Sequence, residues 1–295
     1  MVGSACWRLL SEKGYSNLIG KSRTSLDLTD QKAVADFFKK EKPQIIIDAA
    51  AKVGGILANA TYPYDFLMLN LQIQNNLMTA ALATDVEKFI FLGSSCIYPK
   101  FANQPIQEQS LLTAPLEETN QWYAIAKIAG VKMCEAIQKQ HKKDFFSLMP
   151  TNLYGPNDNY DLKTSHVLPA LIRKFHEAKE AQLPTVELWG TGAPLREFLH
   201  VDDLAAAVLF SLENRMNESL YNVGSGSEIS IKELANTVQK TLGYEGEIVW
   251  NSKYPDGTPR KLMDSSKLNQ LGWSATIDLE SGIRMTYSSF LQHYK

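Results

Sequence analysis

The feature that most constrains this chain is an alternation. Apolar runs of strand length take turns with longer stretches of helical periodicity. "QIIIDAAA" from Gln44 is a continuous apolar run, the pattern of a parallel strand buried on both faces. "NLIGKS" from Asn17, "EKFIFLGSS" from Glu87 and "DFFSLMP" from Asp144 read as further strands. Between them "DQKAVADFFKKE" predicts a helix from Asp30 with Thr29 as its cap. Residues Pro63–Thr84, with Pro63 near the start, and Gln121–Gln140 predict two long helices. This rhythm predicts an α/β chain built on a doubly wound parallel sheet. "LHVDDLAAA" reads as a strand entering a helix capped by Asp202 or Asp203, which makes those acids structural. After Pro150 the pattern loosens and Gly, Pro and Asn increase, which predicts a second, smaller lobe that holds a substrate.

The start of the chain breaks the rhythm. In "MVGSACWRLL" a helix is under way within a few residues, with Ala5, Leu9 and Leu10 on its apolar side. In a dinucleotide-binding unit, small residues of this kind lead from the glycine turn into a helix. Gly3 supplies one glycine of such a turn; a preceding strand and two earlier glycines are absent from the sequence. The expectation is a sheet without its first strand, with two strand edges left unpaired, weaker dinucleotide binding and lower stability.

Composition narrows the classes. The 295 residues carry 30 Lys and Arg against 32 Asp and Glu, so no basic surface for nucleic acid or membrane is expected. No apolar run reaches membrane-spanning length, and no charged segment followed by an apolar core suggests a signal peptide. Cys6, Cys96 and Cys134 are far apart with no C-x-x-C pair, which predicts reduced thiols, no metal site and a cytoplasmic setting.

Two short stretches carry chemistry. In "NQWYAIAKIAG", Tyr123 and Lys127 are one helical turn apart and share a face. A free tyrosine, with a pKa of about 10, is a poor acid near neutrality, and a neighbouring ammonium favours its phenolate. In "FLGSSCIYP" the predicted strand ends in Gly93, Ser94, Ser95 and Cys96. Ligands of open α/β sheets bind beyond the carboxyl ends of strands, where a serine hydroxyl can hold a substrate carbonyl against Tyr123. A polar strand-to-loop transition and a surface Tyr beside an unrelated Lys are the blander explanations, and the combination is more specific than either half. Downstream of "NLIGK", Lys21 and Arg23 are basic where an acid would favour NAD, so the 2′-phosphate of NADP is expected there.

Together with "AAAKVGGI", "YAIAKIAG", "MPTNLYGPNDN", "SHVLPALIRKFHEA", "LWGTGAPLREFLHVDDLA" and "PDGTPRKLMD", these stretches run in order through nearly the whole chain. In them the chain resembles the extended short-chain dehydrogenase/reductases, and among these the epimerase-reductases of GDP-sugars. The resemblance implies a Rossmann-type domain over 1–155, with 197–223 returning to it, and a substrate lobe made mainly of 156–196 and 224–295. It implies NADPH-dependent 3,5-epimerisation and 4-reduction of GDP-4-keto-6-deoxymannose to GDP-L-fucose. Ser94, Tyr123 and Lys127 match the family's triad, and Cys96 and His166 match the pair credited with proton transfer during epimerisation. Cofactor contacts are implied for Met1, Val2, Gly3, Arg23, Asp27, Leu28, Ala50, Leu92, Gly93, Ser94, Ser95, Lys127, His166 and the "PTNL" segment of Pro150, Thr151, Asn152 and Leu153. Substrate contacts are implied for Asn152, Lys174, Trp189, Arg196, Asp256 and Lys261; the cations suit the two phosphates of GDP.

The chemistry fits those types. Inverting a carbon beside a ketone takes a proton from one face and returns one to the other, which a thiol and an imidazole on opposite sides can do. A small buried filler at Cys96 and a helix N-terminal residue at His166 are the alternatives outside the family setting. The two long helices are apolar on more than one face, through Phe66, Leu69, Ile73 and Leu77 and through Trp122, Ile125, Ile128 and Met133. Similar enzymes pair such helices, so a homodimer through a four-helix bundle is expected. Competing readings are another nucleotide-sugar epimerase or dehydratase, and a non-catalytic cofactor- or partner-binding homologue with a broken glycine motif.

Overall fold

Most of the apolar runs pair as parallel strands. The computed structural model describes residues 1–254 and 256–293, and Pro255 of the "PDGTPRKLMD" block lies outside the described residues. In chain order the elements are α1 (Val2–Glu12), α2 (Gln31–Glu41), β1 (Ile45–Asp48), α3 (Ile56–Thr61), α4 (Pro63–Ala83), β2 (Lys88–Leu92), α5 (Gln121–His141), β3 (Asp144–Pro150) and β4 (Asn152–Tyr154). There follow α6 (Val167–Glu180), β5 (Thr185–Trp189), β6 (Leu195–His200), α7 (Val201–Glu213), β7 (Leu220–Val223), β8 (Glu228–Ser230), α8 (Ile231–Leu242), β9 (Glu247–Asn251), β10 (Arg260–Lys261), α9 (Ser266–Gln270) and α10 (Leu279–His293).

The main sheet has the order β1-β2-β3-β7, and all its pairs are parallel. Helices cover both faces, the doubly wound arrangement. On one face Phe89, Phe91 and Phe145 pack under Val34 and Phe38 of α2, Leu77 and Ala81 of α4, and Val131 and Cys134 of α5. On the other, Ile90, Phe146 and Leu148 pack under Ala5 and Cys6 of α1 and Leu204 and Val208 of α7. A separate core joins α6, α8 and α10 to β5 and β9. Among the described residues no helix is long and apolar enough to cross a membrane.

The structure corrects four local expectations. "NLIGK" is not a strand: Asn17–Lys21 pairs with nothing in the sheet, and Ile19 is exposed. Strand propensity without a neighbour to bond leaves the backbone as loop, here packed by Gly20 against the Trp7 ring. For the same reason "QIIIDAAA" is not buried throughout. β1 is the edge of the sheet, Ile45 is exposed, and only Asp48 is fully buried. Asp30, not Thr29, caps α2, accepting from the Ala33 N–H at 3.0 Å. The cap of α7 is His200, whose ring nitrogen accepts from the Asp202 N–H; Asp203 instead accepts from Thr276 and Ile277 of the distal chain.

Candidate active site

β2 delivers its last residues to the carboxyl end of the sheet. There Ser94 turns the chain into a short 3-10 turn over Ser95–Ile97, and its hydroxyl accepts from the Cys96 N–H at 3.4 Å. α5 crosses directly above because Gly130 lets it come close: a Cβ at that position would run into the Phe91 ring. The same approach sets Tyr123 and Lys127 over the strand end. The Lys127 ammonium donates to the Leu92 carbonyl at 2.9 Å and sits 4.5 Å above the Phe91 ring and 5.9 Å from the Tyr123 ring. Phe66 of α4 meets the Tyr123 ring edge-on at 6.3 Å.

Electrostatics here is dominated by burial. Burial raises the pKa of Tyr123, helped by Cys96 and Asp48, against the opposing hydrogen bond to Ser94. The spacing of Tyr and Lys suggests a phenol moved toward neutrality; in the structure burial moves it the other way, and Tyr123 stays a phenol. Burial likewise lowers Lys127, against Asp48 and Cys96, and raises the Cys96 thiol, against Lys261, Ser94 and Lys127.

The other proton-transfer candidate, His166, holds the position just before α6 and forms no side-chain cap bond. Its loop is fixed to the "KVGG" turn, where the Gly55 N–H donates to the Thr164 carbonyl at 2.9 Å. His166 is exposed at the surface, and partial desolvation by its neighbours and then the Lys261 ammonium lower its pKa, which favours neutral imidazole. Cys96 and His166 thus share Lys261 as a charged neighbour.

The substrate-side residues form a second cluster. Lys174 donates to the Glu187 carbonyl at 3.0 Å and stands 5.5 Å over the Trp189 ring, which stacks on Tyr254 at 4.3 Å. Asp256 accepts from the Thr191 N–H and hydroxyl at 2.9 and 2.6 Å, and it faces Arg196. Arg196 in turn pairs in register with Lys261 of β10, so these two cations lie side by side. In the "PTNL" segment the Thr151 and Asn152 side chains donate to the Glu197 carbonyl at 3.3 and 2.8 Å, and Pro150 and Leu153 lie on β3 and β4. Gly93 and Ser95 flank Ser94, and Ser95 is buried within the turn.

Some expected residues lie apart from this cluster. Arg23 and Asp27 are exposed loop residues that face each other, and Asp27 is committed to the Thr29 N–H at 2.9 Å. Leu28 packs on the core, and its carbonyl accepts from Asn76 at 2.9 Å. Met1, Val2 and Gly3 begin α1, and a Cβ on Gly3 would lie 3.8 Å from Ala49, one residue before Ala50. The α1 N-terminus therefore points at the carboxyl end of β1, where its free N–H groups suit a pyrophosphate. Sequence reading missed Tyr254, which lies two residues before Asp256, and Thr191. It also missed Glu197, buried and accepting from Gly226 and Met263, and Asp48, the one charge at the end of an apolar strand.

With this geometry stand the likenesses to known proteins. The model of the NAD dependent epimerase/dehydratase family matches residues 1–224. GDP-L-fucose synthase 1 of Arabidopsis thaliana is 57% identical over 293 residues, covering 99% of this chain and 91% of that protein. GDP-L-fucose synthase of Escherichia coli K12 is 50% identical over 302 residues, 99% of this chain and 94% of that one. Among solved structures, a GDP-mannoheptose C4 reductase from Campylobacter jejuni with NADP bound superimposes with a TM-score of 0.90 at 39% identity, over 98% of this chain and 95% of that one.

Proposed function

We infer that this chain, which belongs to the NAD dependent epimerase/dehydratase family, is an NADPH-dependent epimerase and reductase that converts GDP-4-keto-6-deoxymannose to GDP-L-fucose. The observation that carries the reading is a thiol inside a reductase triad. Cys96 lies one turn from Ser94 and acts electrostatically on both Tyr123 and Lys127. A reductase needs only the triad; a further acid-base group at the same strand end serves a carbon beside the carbonyl.

Ser94 and Tyr123 donate to the ketone oxygen and stabilise the negative charge that develops when a neighbouring C–H is deprotonated. His166, kept neutral, takes a proton from one face of the sugar, and Cys96, kept as a thiol, returns one to the other. Tyr123 then protonates the C4 oxygen, and Lys127 stabilises the phenolate that remains. NADPH, when bound, supplies the hydride. Its pyrophosphate would lie at the α1 N-terminus, its nicotinamide beside Tyr123 and "PTNL", and its 2′-phosphate near Arg23. Lys174, Arg196 and Lys261 would hold the GDP phosphates. The non-catalytic alternative is not favoured, because relatives at 50–57% identity across 99% of the chain are named as synthases.

A homodimer through α4 and α5 and a cytoplasmic location complete the reading. Its support is that Trp122 and Ile125 of α5, and Tyr62 and Tyr64 at the start of α4, are exposed. The test is incubation with GDP-4-keto-6-deoxymannose and NADPH. Loss of NADPH absorbance with formation of GDP-L-fucose is expected. In deuterated water without NADPH, the sugar protons beside the ketone should exchange. Oxidation of NADPH without epimerised product would reduce the enzyme to a plain C4 reductase.

A further inference from the structure

Asp48 is an acid where the fold asks for an apolar residue. It ends β1, opposite Phe91 in the parallel register, and only 2% of it is exposed. Register partners point to the same face of a sheet, so its carboxylate lies beside the Phe91 ring, on the face that carries α5. Lys127 sits 4.5 Å above that same ring, itself 3% exposed. The carboxylate and the catalytic ammonium are thus neighbours across one phenyl ring. One carboxylate oxygen accepts from the Ala50 N–H at 3.1 Å, and the other is buried without a hydrogen-bond partner among the described residues. The contacts of Lys127 are a carbonyl and two aromatic rings, and Asp48 and Cys96 act on it through space.

We propose that Asp48 is a further positioning residue of the reductase: its carboxylate is the counter-charge that keeps buried Lys127 an ammonium and so extends the proton-donating range of Tyr123 into alkaline pH. A buried lysine surrounded by neutral groups gives up its proton readily. Tyr123 can protonate a ketone only if its phenolate is then stabilised, which requires Lys127 charged. The first proton lost from the Tyr123–Lys127 pair therefore ends reduction, whichever member loses it, and a fixed negative charge opposes both losses. The other titratable groups near this pair are Cys96 after β2 and Cys134 on α5, both thiols raised by burial; α4 presents neutral Gln74 and Asn70. Asp48 is thereby the carboxylate that acts on Lys127.

The role has an independent signature in stability. Burial pushes the Asp48 carboxyl up to about 6 from 3.8, so the folded chain holds this proton more tightly than the unfolded chain. Stability from this group is present at acid pH and is lost as pH rises between those values. A neutral side chain escapes that loss.

The proposal rests on the reductase reading, and two measurements separate them. The first is the pH profile of kcat/KM for NADPH-dependent reduction by the parent, Asp48→Asn and Asp48→Leu. The alkaline limb should move down by about one pH unit in both variants and return in Asp48→Glu. A merely structural acid would lower the plateau and leave the limb in place, and that result overturns the proposal. The second needs no turnover: the titration of Lys127, followed by NMR of its labelled side-chain carbon, should move to lower pH in Asp48→Asn and return in Asp48→Glu. An unmoved Lys127 titration overturns the proposal too. A parent that never reduces the ketone refutes the functional reading alone, and the Lys127 titration still decides Asp48.

Discussion

The two halves of the candidate site are built differently. The reacting half, Ser94, Cys96, Tyr123 and Lys127, sits on a strand end and a long helix, with Lys127 3% and Cys96 7% exposed. The half proposed to hold the substrate sits on α6, β5, β6, β10 and the loops beside them, and Trp189 is 58% exposed. Buried groups change one another's acidity strongly because water does not screen them, whereas the half-buried cations Lys174, Arg196 and Lys261 reach solvent and are weakened by salt. The difference teaches that substitutions in the first half should change rates and pH profiles, while those in the second should change affinity.

The strongest test of that division is Tyr123→Phe. It removes the proton donor and leaves the ring against Phe66, so NADPH-dependent reduction should fall about 10²–10⁴-fold with cofactor binding kept. Cys96→Ser should come next, slowing solvent exchange of the sugar protons by about 10²-fold while hydride transfer to an already epimerised ketone stays within a few-fold. Exchange at the parent rate would remove Cys96 from the proton-transfer pair. Arg196→Ala should act the other way, raising KM for the GDP-sugar about ten- to hundredfold with kcat little changed. A loss confined to kcat would erase the contrast between the halves.

How much of the molecule is legible in sequence depends on the origin of each element. β3, α4 and α5 depend on their own periodicity and flanking residues and fall within a residue of expectation, and β2 stops at Leu92, three residues short of the strand expected through Ser95. "NLIGK" has the local composition of a strand, but a strand is a property of two segments, and Asn17–Lys21 pairs with none of the described strands. Ile45 is exposed because β1 is an edge strand among the described residues, in a run that reads as buried. Caps at Asp30 and His200 depend on which side chain can turn back onto the helix, a matter of one residue's geometry. In the site, the residue types and their order are legible; their acidity is not. Tyr123 spaced to Lys127 suggests an acidified phenol, and burial, helped by Cys96 and Asp48, reverses that sign. Asp48 carries a signal, a charge closing "IIID", but sequence alone places nothing opposite it.

The smallest effect expected is at the exposed aromatic pair. Trp189 stacks on Tyr254 with an interplanar angle of 16° and carries Lys174 at 5.5 Å over its ring. Trp189→Ala removes a flat platform and frees the ammonium, but no buried surface collapses, so the melting temperature should stay close to the parent's. An aromatic contact of this kind contributes about 0.5–1.5 kcal/mol, or roughly two- to twelvefold in GDP affinity. Isothermal titration with GDP at two salt concentrations reads both parts. In the parent, the affinity should fall with salt through Lys174 and Arg196. In Trp189→Ala the salt dependence should be shallower, because Lys174 is no longer held in place, whereas Trp189→Phe should keep it. An unchanged slope in the alanine variant would mean that the Glu187 carbonyl alone positions Lys174, and that the aromatic pair takes no part in recognition.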